Sequence, residues 1–505
     1  MSFMPHSRRG ALWRAVLAAL IVVGATAATT AVAGLLQFKN LVNDISVGVA
    51  IPHAAVTLPN PGDPQTLLII GSDHRAGTPF NSANTDTMLL VRLNGSSSTI
   101  NLMSVPRDLQ VEIPGVGTAK LNAAYSYGGP NLLVNVLKNQ VFPGLRVNHI
   151  IDVNFGGFEK LVDAIGCVYT DVDHRYYNNT ALTGYSSIDV QPGYQKLCGV
   201  QALQFVRFRH TDSDLVRNAR QQDFIRWAKD QYGAANLINN RDKLLKIFGA
   251  YTETDHNLHT LDGLINLFDL VAFSAGHTIK QIAFPAILQP CPVAATGQTP
   301  CYVTSEPAAE AAAFRAFMRP TMAAPAAPAS AGGSTKGKAP KHAAGIPTAG
   351  LTGDVPDGHS QTAALSRVPM PVYYPRLILT GSSYCLTITG NCPVEIPSPG
   401  SYPRAYTIHD QQGRRQIAYR MTIEINAALG EYYGVQGTTW QNPPILAKPA
   451  AFKVVDGKRL ELFTNGGKLT DVAWRTPHGV YWISNTLTSD IGNQQMVGIA
   501  ASLTR

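Results

Sequence analysis

Residues 319–360 of this 505-residue chain are dominated by Ala, Pro, Gly and Ser, with Lys336, Lys338 and Lys341 among them. Such a stretch has too little large apolar surface to offset the entropy of ordering it, so it reads as a flexible linker. The linker as a whole is placed at 291–370. A chain interrupted in this way cannot close around one core, and at roughly 100–200 residues per domain it needs at least two. Before the linker, from 64 to 290, apolar runs of strand length alternate with helical patterns, as in an α/β domain. After it, from 371 to 505, Asp456-Gly457 and Asn465-Gly466-Gly467 separate strand-like runs at 451–455, 459–463, 468–474 and 479–484. These are hairpin signals. Asn493 to Ser502 reads as a closing helix, giving a smaller β-rich α+β domain.

The N-terminus places the protein. Arg8, Arg9 and Arg14 precede an uncharged run from Ala15 to Leu36. As a helix it spans about 33 Å, enough to cross a bilayer. The basic flank keeps residues 1–14 in the cytoplasm and sends the rest outside. Residues 37–63 then form a membrane-proximal stalk. Ala31-Val32-Ala33 also has the form of a cleavage site, so a cleaved signal peptide is the competing reading, although the run is longer than a usual signal core. Either way the bulk of the chain is exported, and the anchor reading makes it a single-pass protein of the cell membrane. Hydrophobic residues make up 45% and charged residues 15%, yet only this one stretch is long and uncharged, which excludes a polytopic membrane protein. A net charge of +8 suits anionic partners. No block of Lys/Arg resembles a nucleic-acid arm, so DNA and RNA are not expected. Six cysteines in an exported chain suggest disulfides, paired most simply between sequence neighbours as 167–198, 291–301 and 385–392. No CxxC pair exists, so neither zinc nor thiol redox chemistry is expected.

Candidate chemistry gathers in two places. Thr66 to Ile70 reads as a buried strand running into Gly71-Ser72-Asp73-His74-Arg75. Thr87 to Leu93 reads as a second strand after Asn84-Thr85-Asp86, and Thr99 to Val105 as a third, ending in Pro106-Arg107-Asp108. If the first two are adjacent and antiparallel, Asp73, Asp86 and Arg107 meet at one sheet edge. Two carboxylates beside arginines suit a divalent cation plus a multiply charged anion; the bland reading is solvated loop residues. In the second place, Gly199 to Gln204 reads as a short helix and Phe205-Val206-Arg207-Phe208-Arg209 as a strand. Period two puts Arg207 and Arg209 on one face. Asp214 can cap a helix whose Arg217, Arg220, Gln221 and Phe224 share one side. That side is either an anion site or a solvated basic face.

Six ordered blocks, GSDHR (71–75), NTDTM (84–88), SVPRDLQVEIPG (104–115), KLNAAYSYGGP (120–130), NFGGFEKLVDAIG (154–166) and ALQFVRFRHTDSDLVRNARQQ (202–222), resemble the LytR-CpsA-Psr family of envelope phosphotransferases. The resemblance covers roughly 64–235. It implies a three-layer α/β/α domain with a central mixed sheet, outside the membrane. It also implies transfer of a glycopolymer from a polyprenyl-pyrophosphate carrier to peptidoglycan. Position by position, Asp73 and Asp86 match the family's Mg²⁺-associated aspartates (Mn²⁺ being the substitute). Arg107, Arg207, Arg209, Arg217 and Gln221 match its pyrophosphate-contacting positions, and Arg75 and Arg220 are further substrate-binding candidates. Gly166-Cys167-Val168 departs from the family's Gly-Gly-Val, which makes room for the 167–198 disulfide.

The base for the acceptor hydroxyl is open among Asp73, Asp86 and Asp108. Lys120 and Asn122 either contact substrate or order their loop. The prenyl tail needs an apolar slot, for which Leu132–Leu137 and Phe155–Ile165 are candidates, though such positions are more often core. Trp440, Trp474, Trp482, Tyr432 and Tyr433 could stack on sugars, but packing in a β core is the commoner role. Two rival functions share these groups: a pyrophosphatase using water as acceptor, and a non-catalytic wall-binding or regulatory anchor.

Overall fold

The computed structural model describes residues 49–505 apart from 75–77, 180–186, 209–212, 233–240, 261–265, 268–269, 272–273, 275, 290–301, 321–344, 387–391 and 393–401. The run 15–36 therefore lies outside the described residues, as does the 291–301 cysteine pair. Among the described residues no helix is long and apolar enough to cross a membrane.

The first body is built from β1 (Val49–Ile51), β2 (Gln65–Ser72), β3 (Thr85–Leu93), β4 (Thr99–Ser104), α1 (Leu121–Val136), β5 (His149–Asn154) and α2 (Phe155–Ile165). A ribbon of β6 (Val168–Val172) and β7 (Gly193–Leu197) follows. Then come α3 (Gly199–Arg207), α4 (Asp214–Gln231), α5 (Arg241–Tyr251), β8 (Thr252–Asp255), β9 (Thr278–Gln281) and α6 (Pro307–Met318). Seven strands make one mixed sheet in the order β1-β8-β5-β2-β3-β4-β9. β2 is antiparallel to β3 and parallel to β5. Its near-continuous apolar run reflects cover on both faces. Leu68 and Ile70 join the core under α1 and α6, while Leu67 joins a second core with Phe248 of α5. This is the expected three-layer arrangement. Leu133, Val134, Val136 and Leu137 are ordinary core of the first of these clusters.

The second body contains α7 (Val355–Ala364), β10 (Arg404–His409), β11 (Arg415–Asn426), β12 (Glu431–Thr438), β13 (Ala451–Val455), β14 (Lys458–Asn465), β15 (Lys468–Thr476), β16 (Gly479–Ser484) and α8 (Asn493–Ala501). Its sheet runs residues 383–384, β11, β12, β16, β15, β14, β13, with β10 paired to β11, and every pairing is antiparallel. The hairpin between β13 and β14 turns at Asp456-Gly457, both at positive φ (46° and 73°). Asp and Gly are the residue types that tolerate that geometry. Trp440, Trp482, Tyr432 and Tyr433 are buried, and Trp474 is partly so, which makes these aromatics packing residues.

Two expected boundaries move. Val49–Ile51, placed in the stalk, forms the edge strand β1 and pairs with β8, and Thr57 N–H donates to the Val147 carbonyl at 2.8 Å. The linker at 291–370 contains α6, whose Phe317 is fully buried and whose end is held by Asn101 Nδ2 on the Phe317 carbonyl at 2.8 Å. It also contains α7, whose Gln361 donates to the Cys385 carbonyl at 3.0 Å, and Leu351 and Leu365 in the second core. For α6 the reason is that Ala is the best helix former, so small residues alone do not mean an unpacked chain.

The two bodies share a buried face. Tyr169 of β6 and Tyr194 of β7 pack with Trp440, Trp482 and Ile408. Gln436 Oε1 accepts from Tyr194 N–H at 3.1 Å, and Thr422 Oγ1 donates to the Asp173 carbonyl at 3.1 Å. Within this face Arg420 lies 3.3 Å from Asp171, and Arg226 of α4 lies 2.9 Å from Asp223. Asp471 is 4% exposed beside them. Burial pushes its carboxyl up to about 7, Asp171 and Asp223 add to the rise, and Arg226 opposes it. Asp471 in the folded chain therefore holds a proton that an unfolded carboxylate, ordinarily near 4, would release. Its stabilising contribution is complete below about pH 4 and is lost as pH rises through 7. Urea unfolding across pH 5–8 should show wild type losing stability with rising pH. Asp471→Asn should flatten that slope by on the order of a few kcal/mol. Equal slopes would show that the Asp471 carboxyl is ionised in the folded chain.

Candidate active site

At the sheet edge where β3 begins and β4 ends, three arginines from three segments converge on one carboxylate. Arg107, three residues past β4, donates through Nη1 to Asp86 Oδ1. Arg207, the last residue of α3, brings Nε to 3.7 Å from Asp86 Oδ2. Arg217, in the first turn of α4, brings Nη1 to 3.9 Å from Asp86 Oδ1. Asp86 is 18% exposed and Arg207 35%, so the cluster opens to solvent on one side, while Arg217 at 1% forms its floor. The Arg207 guanidinium lies 3.8 Å from the centre of the Phe155 ring, which fixes its plane.

A second carboxylate completes the arrangement. Asp214 Oδ2 accepts the Arg107 backbone N–H at 3.1 Å, and Asp214 Oδ1 accepts from Arg217 Nη2. Asp214 is the first residue of α4, and the cap is Ser213, whose Oγ accepts from Val216 N–H at 3.3 Å. From sequence Asp214 is expected to cap the helix or to pair with its basic face. The signal available for the second was the i,i+3 spacing to Arg217.

The family model described as the LytR_cpsA_psr family matches residues 37–308, more than half of the chain. The chain belongs to the LytR_cpsA_psr family. Over 211 residues it is 32% identical to the polyisoprenyl-teichoic acid–peptidoglycan teichoic acid transferase TagU of Oceanobacillus iheyensis, covering 40% of this chain and 62% of that protein. TagT of Bacillus subtilis, which carries the same activity in its name, is 29% identical over 209 residues, covering 41% and 64%. The probable cell wall biosynthesis protein LcpB of Corynebacterium glutamicum is 34% identical over 170 residues, covering 31% and 39%. The chain thus spans a little under two thirds of the length of TagU and TagT. Among solved structures, TagT bound to LIIa-WTA aligns at 23% identity and a TM-score of 0.40, over 54% of this chain and 97% of that one.

Other residues matched to the family pattern fall as follows. Asp73, just past β2, is exposed at the same edge. Its N–H donates to the Asn84 carbonyl at 3.1 Å, and its Oδ1 accepts from Asn84 N–H at 2.6 Å. Gln221 is buried on α4 and donates to the Val206 carbonyl at 3.1 Å, while its Oε1 meets no donor among the described residues. Arg220 departs from the expected substrate-binding role. It is fully buried, donates to the Phe205 and Phe208 carbonyls at 3.1 and 2.8 Å, and lies 4.3 Å from the Tyr176 ring centre. It braces the end of α3, whose last carbonyls need donors. The strand expected over 205–209 is instead the end of α3 up to Arg207. Two alternating phenylalanines and arginines fit either period over so short a run. Arg75 and Arg209 lie outside the described residues. Lys120 orders its loop: its Nζ is 2.9 Å from Asp108 Oδ1, and Asn122 N–H donates to the Arg107 carbonyl at 3.0 Å. The disulfides 167–198 and 385–392 are both formed.

Because Arg217 is buried against Asp214, removing that carboxylate strands a guanidinium away from water. Asp214→Ala should destabilise the chain by roughly 3 kcal/mol, read from its urea midpoint. A loss under about 1 kcal/mol, the range of exposed pairs, would mean that Asp86 alone neutralises Arg217.

Proposed function

We propose that this chain is an extracytoplasmic phosphotransferase that moves a glycopolymer from a polyprenyl-pyrophosphate carrier to peptidoglycan, anchored in the cell membrane by residues 15–36. The observation that carries the reading is the convergence of Arg107, Arg207 and Arg217 on Asp86. Three forked donors around one oxygen-rich anion are what a pyrophosphate needs. In their present state the guanidiniums hold a carboxylate where phosphate oxygens would lie. The cluster also lies at the N-terminus of α4, whose positive dipole end favours an anion there. The transferase names of TagU and TagT support the same chemistry.

The acceptor hydroxyl attacks the sugar-linked phosphorus, and the bridging P–O bond breaks. Polyprenyl phosphate departs, and the hydroxyl proton passes to a base. Phosphoryl transfer asks the protein mainly for alignment and charge neutralisation, and the arginines supply both. Of the three carboxylates considered as base, Asp108 is held by Lys120 and Asp86 by the arginines, which leaves Asp73 the most accessible. Asp73 and Asp86 are hard oxygen donors at one edge. That suits Mg²⁺ or Mn²⁺, which take one or two carboxylates plus phosphate oxygens. Such an ion, when bound, would add charge to stabilise the leaving phosphate.

The test is transfer from a synthetic polyprenyl-pyrophosphate disaccharide to peptidoglycan fragments in detergent, with free phosphate followed in parallel. Arg107→Lys and Arg217→Lys should each lose roughly 10–150-fold in kcat/KM, because a point charge does not replace a fork. Exposed Arg146→Lys should match wild type. Wild-type transfer in Arg217→Lys would show that charge alone suffices. Release of phosphate without transfer would favour the pyrophosphatase reading.

A further inference from the structure

A second polar assembly lies beneath the same sheet edge, and the transfer chemistry does not use it. Ser72 Oγ donates to Asp152 Oδ1 at 2.7 Å, and the Tyr125 hydroxyl donates to Oδ2 of the same carboxylate. The His74 backbone N–H donates to Ser72 Oγ at 3.3 Å. The His74 ring is held at both nitrogens: Nδ1 lies 3.1 Å from Glu253 Oε1, and Nε2 lies 2.8 Å from the Thr78 carbonyl. One face of the ring stacks on Phe80 at 4.2 Å between centroids. Phe80 in turn occupies the space above Gly129, where an added Cβ would come within 2.9 Å of it.

These contacts come from three elements: Asp152 from β5, Tyr125 from α1 and Glu253 from β8. They grip the residues on either side of Asp73. Ser72, Tyr125 and Asp152 are at most 3% exposed, whereas Asp73 between the two gripped residues is exposed. A buried carboxylate is a costly way to fill a core. It is an effective way to fix two hydroxyls in a set geometry.

We propose that Asp152, Tyr125 and Glu253 are positioning residues that set the direction in which Asp73 presents its carboxylate, and hence the affinity of the edge for a divalent cation. The inference rests on reading Asp73 and Asp86 as the cation pair. Outer contacts of this kind act without touching the ion, by limiting the directions its ligand can take.

The experiment titrates Mn²⁺ alone into the full chain in detergent and reads free Mn²⁺ by electron paramagnetic resonance. Inorganic pyrophosphate binding without metal and the melting temperature are measured on the same samples. Wild type should bind Mn²⁺, and Asp73→Asn should lose that binding. Tyr125→Phe and Glu253→Gln should weaken it about tenfold or more, while pyrophosphate binding, which falls to the arginines, stays at the wild-type value. Tyr125→Phe removes one oxygen only, so it decides the matter even if Asp152→Asn does not fold. If Asp73→Asn loses Mn²⁺ but Tyr125→Phe and Glu253→Gln bind it as wild type does, the positioning role is overturned and the cation pair stands. If Asp73→Asn binds Mn²⁺ undiminished, the cation pair fails and the positioning role with it. A parallel loss of Mn²⁺ and pyrophosphate binding in Tyr125→Phe would reduce the assembly to general support of the fold and overturn the proposal.

Discussion

Guanidiniums repel one another, so arginines cannot be gathered at one edge unless carboxylates stand between them. Asp86 and Asp214 meet that condition here, and much of the local architecture serves to place them. Asp86 is the second residue of β3, set across the sheet from the exit of β4. Asp214 opens α4 and reaches back to the backbone of Arg107. The two carboxylates therefore join strand, loop and helix through charge-assisted contacts, which tolerate little displacement. With three guanidiniums against two carboxylates, most but not all of the positive charge at this edge is compensated within the fold.

Helix α4 carries the larger burden. Arg217, Asn218, Arg220, Gln221, Gln222 and Asp223 are all buried on it, so its polar groups face inward on several sides. An ordinary surface helix would show one apolar stripe and one wet face. The difference is explained by what surrounds α4. Its first turns meet the arginine site, Gln222 donates to Ser104 of β4 at 2.9 Å, and its later turns meet the second body through Asp223 and Arg226. Gln281 of β9 donates to Asp223 at 3.0 Å and accepts from Asn465 in the hairpin between β14 and β15. The arginine edge and the C-terminal sheet are thus separated by one helix and a few direct contacts.

The parts of this molecule that were legible in its sequence are those governed by local rules. The β2–β4 unit followed from apolar runs and turn residues, and the hairpins around Asp456-Gly457 and Gly466-Gly467 followed from residues that accept positive φ. Asp86 and Arg107 were placed at one edge by strand antiparallelism alone. What escaped depended on distance along the chain. Arg220 looked like its neighbours Arg217 and Gln221, and only tertiary packing shows that it points into an aromatic cage. The Ala-rich α6 looked unpacked because composition does not reveal which face Phe317 covers. Strands β10 to β12 carry charged residues such as Arg420 inward, and their partner Asp171 lies 249 positions away. No periodicity predicts a salt bridge between two bodies.

The face formed by Tyr169, Tyr194, Trp440 and Trp482 has a practical meaning for anyone who dissects this protein. Severing the chain near residue 345 yields two pieces that look like sensible expression fragments from composition. Each would present freshly bared aromatic rings together with an unneutralised charge, Asp171 on one piece and Arg420 on the other. Such fragments are prone to stick to each other, to themselves or to a chromatography matrix. Poor behaviour of an isolated half would then report the exposed seam and not a failure of that half to encode its own fold.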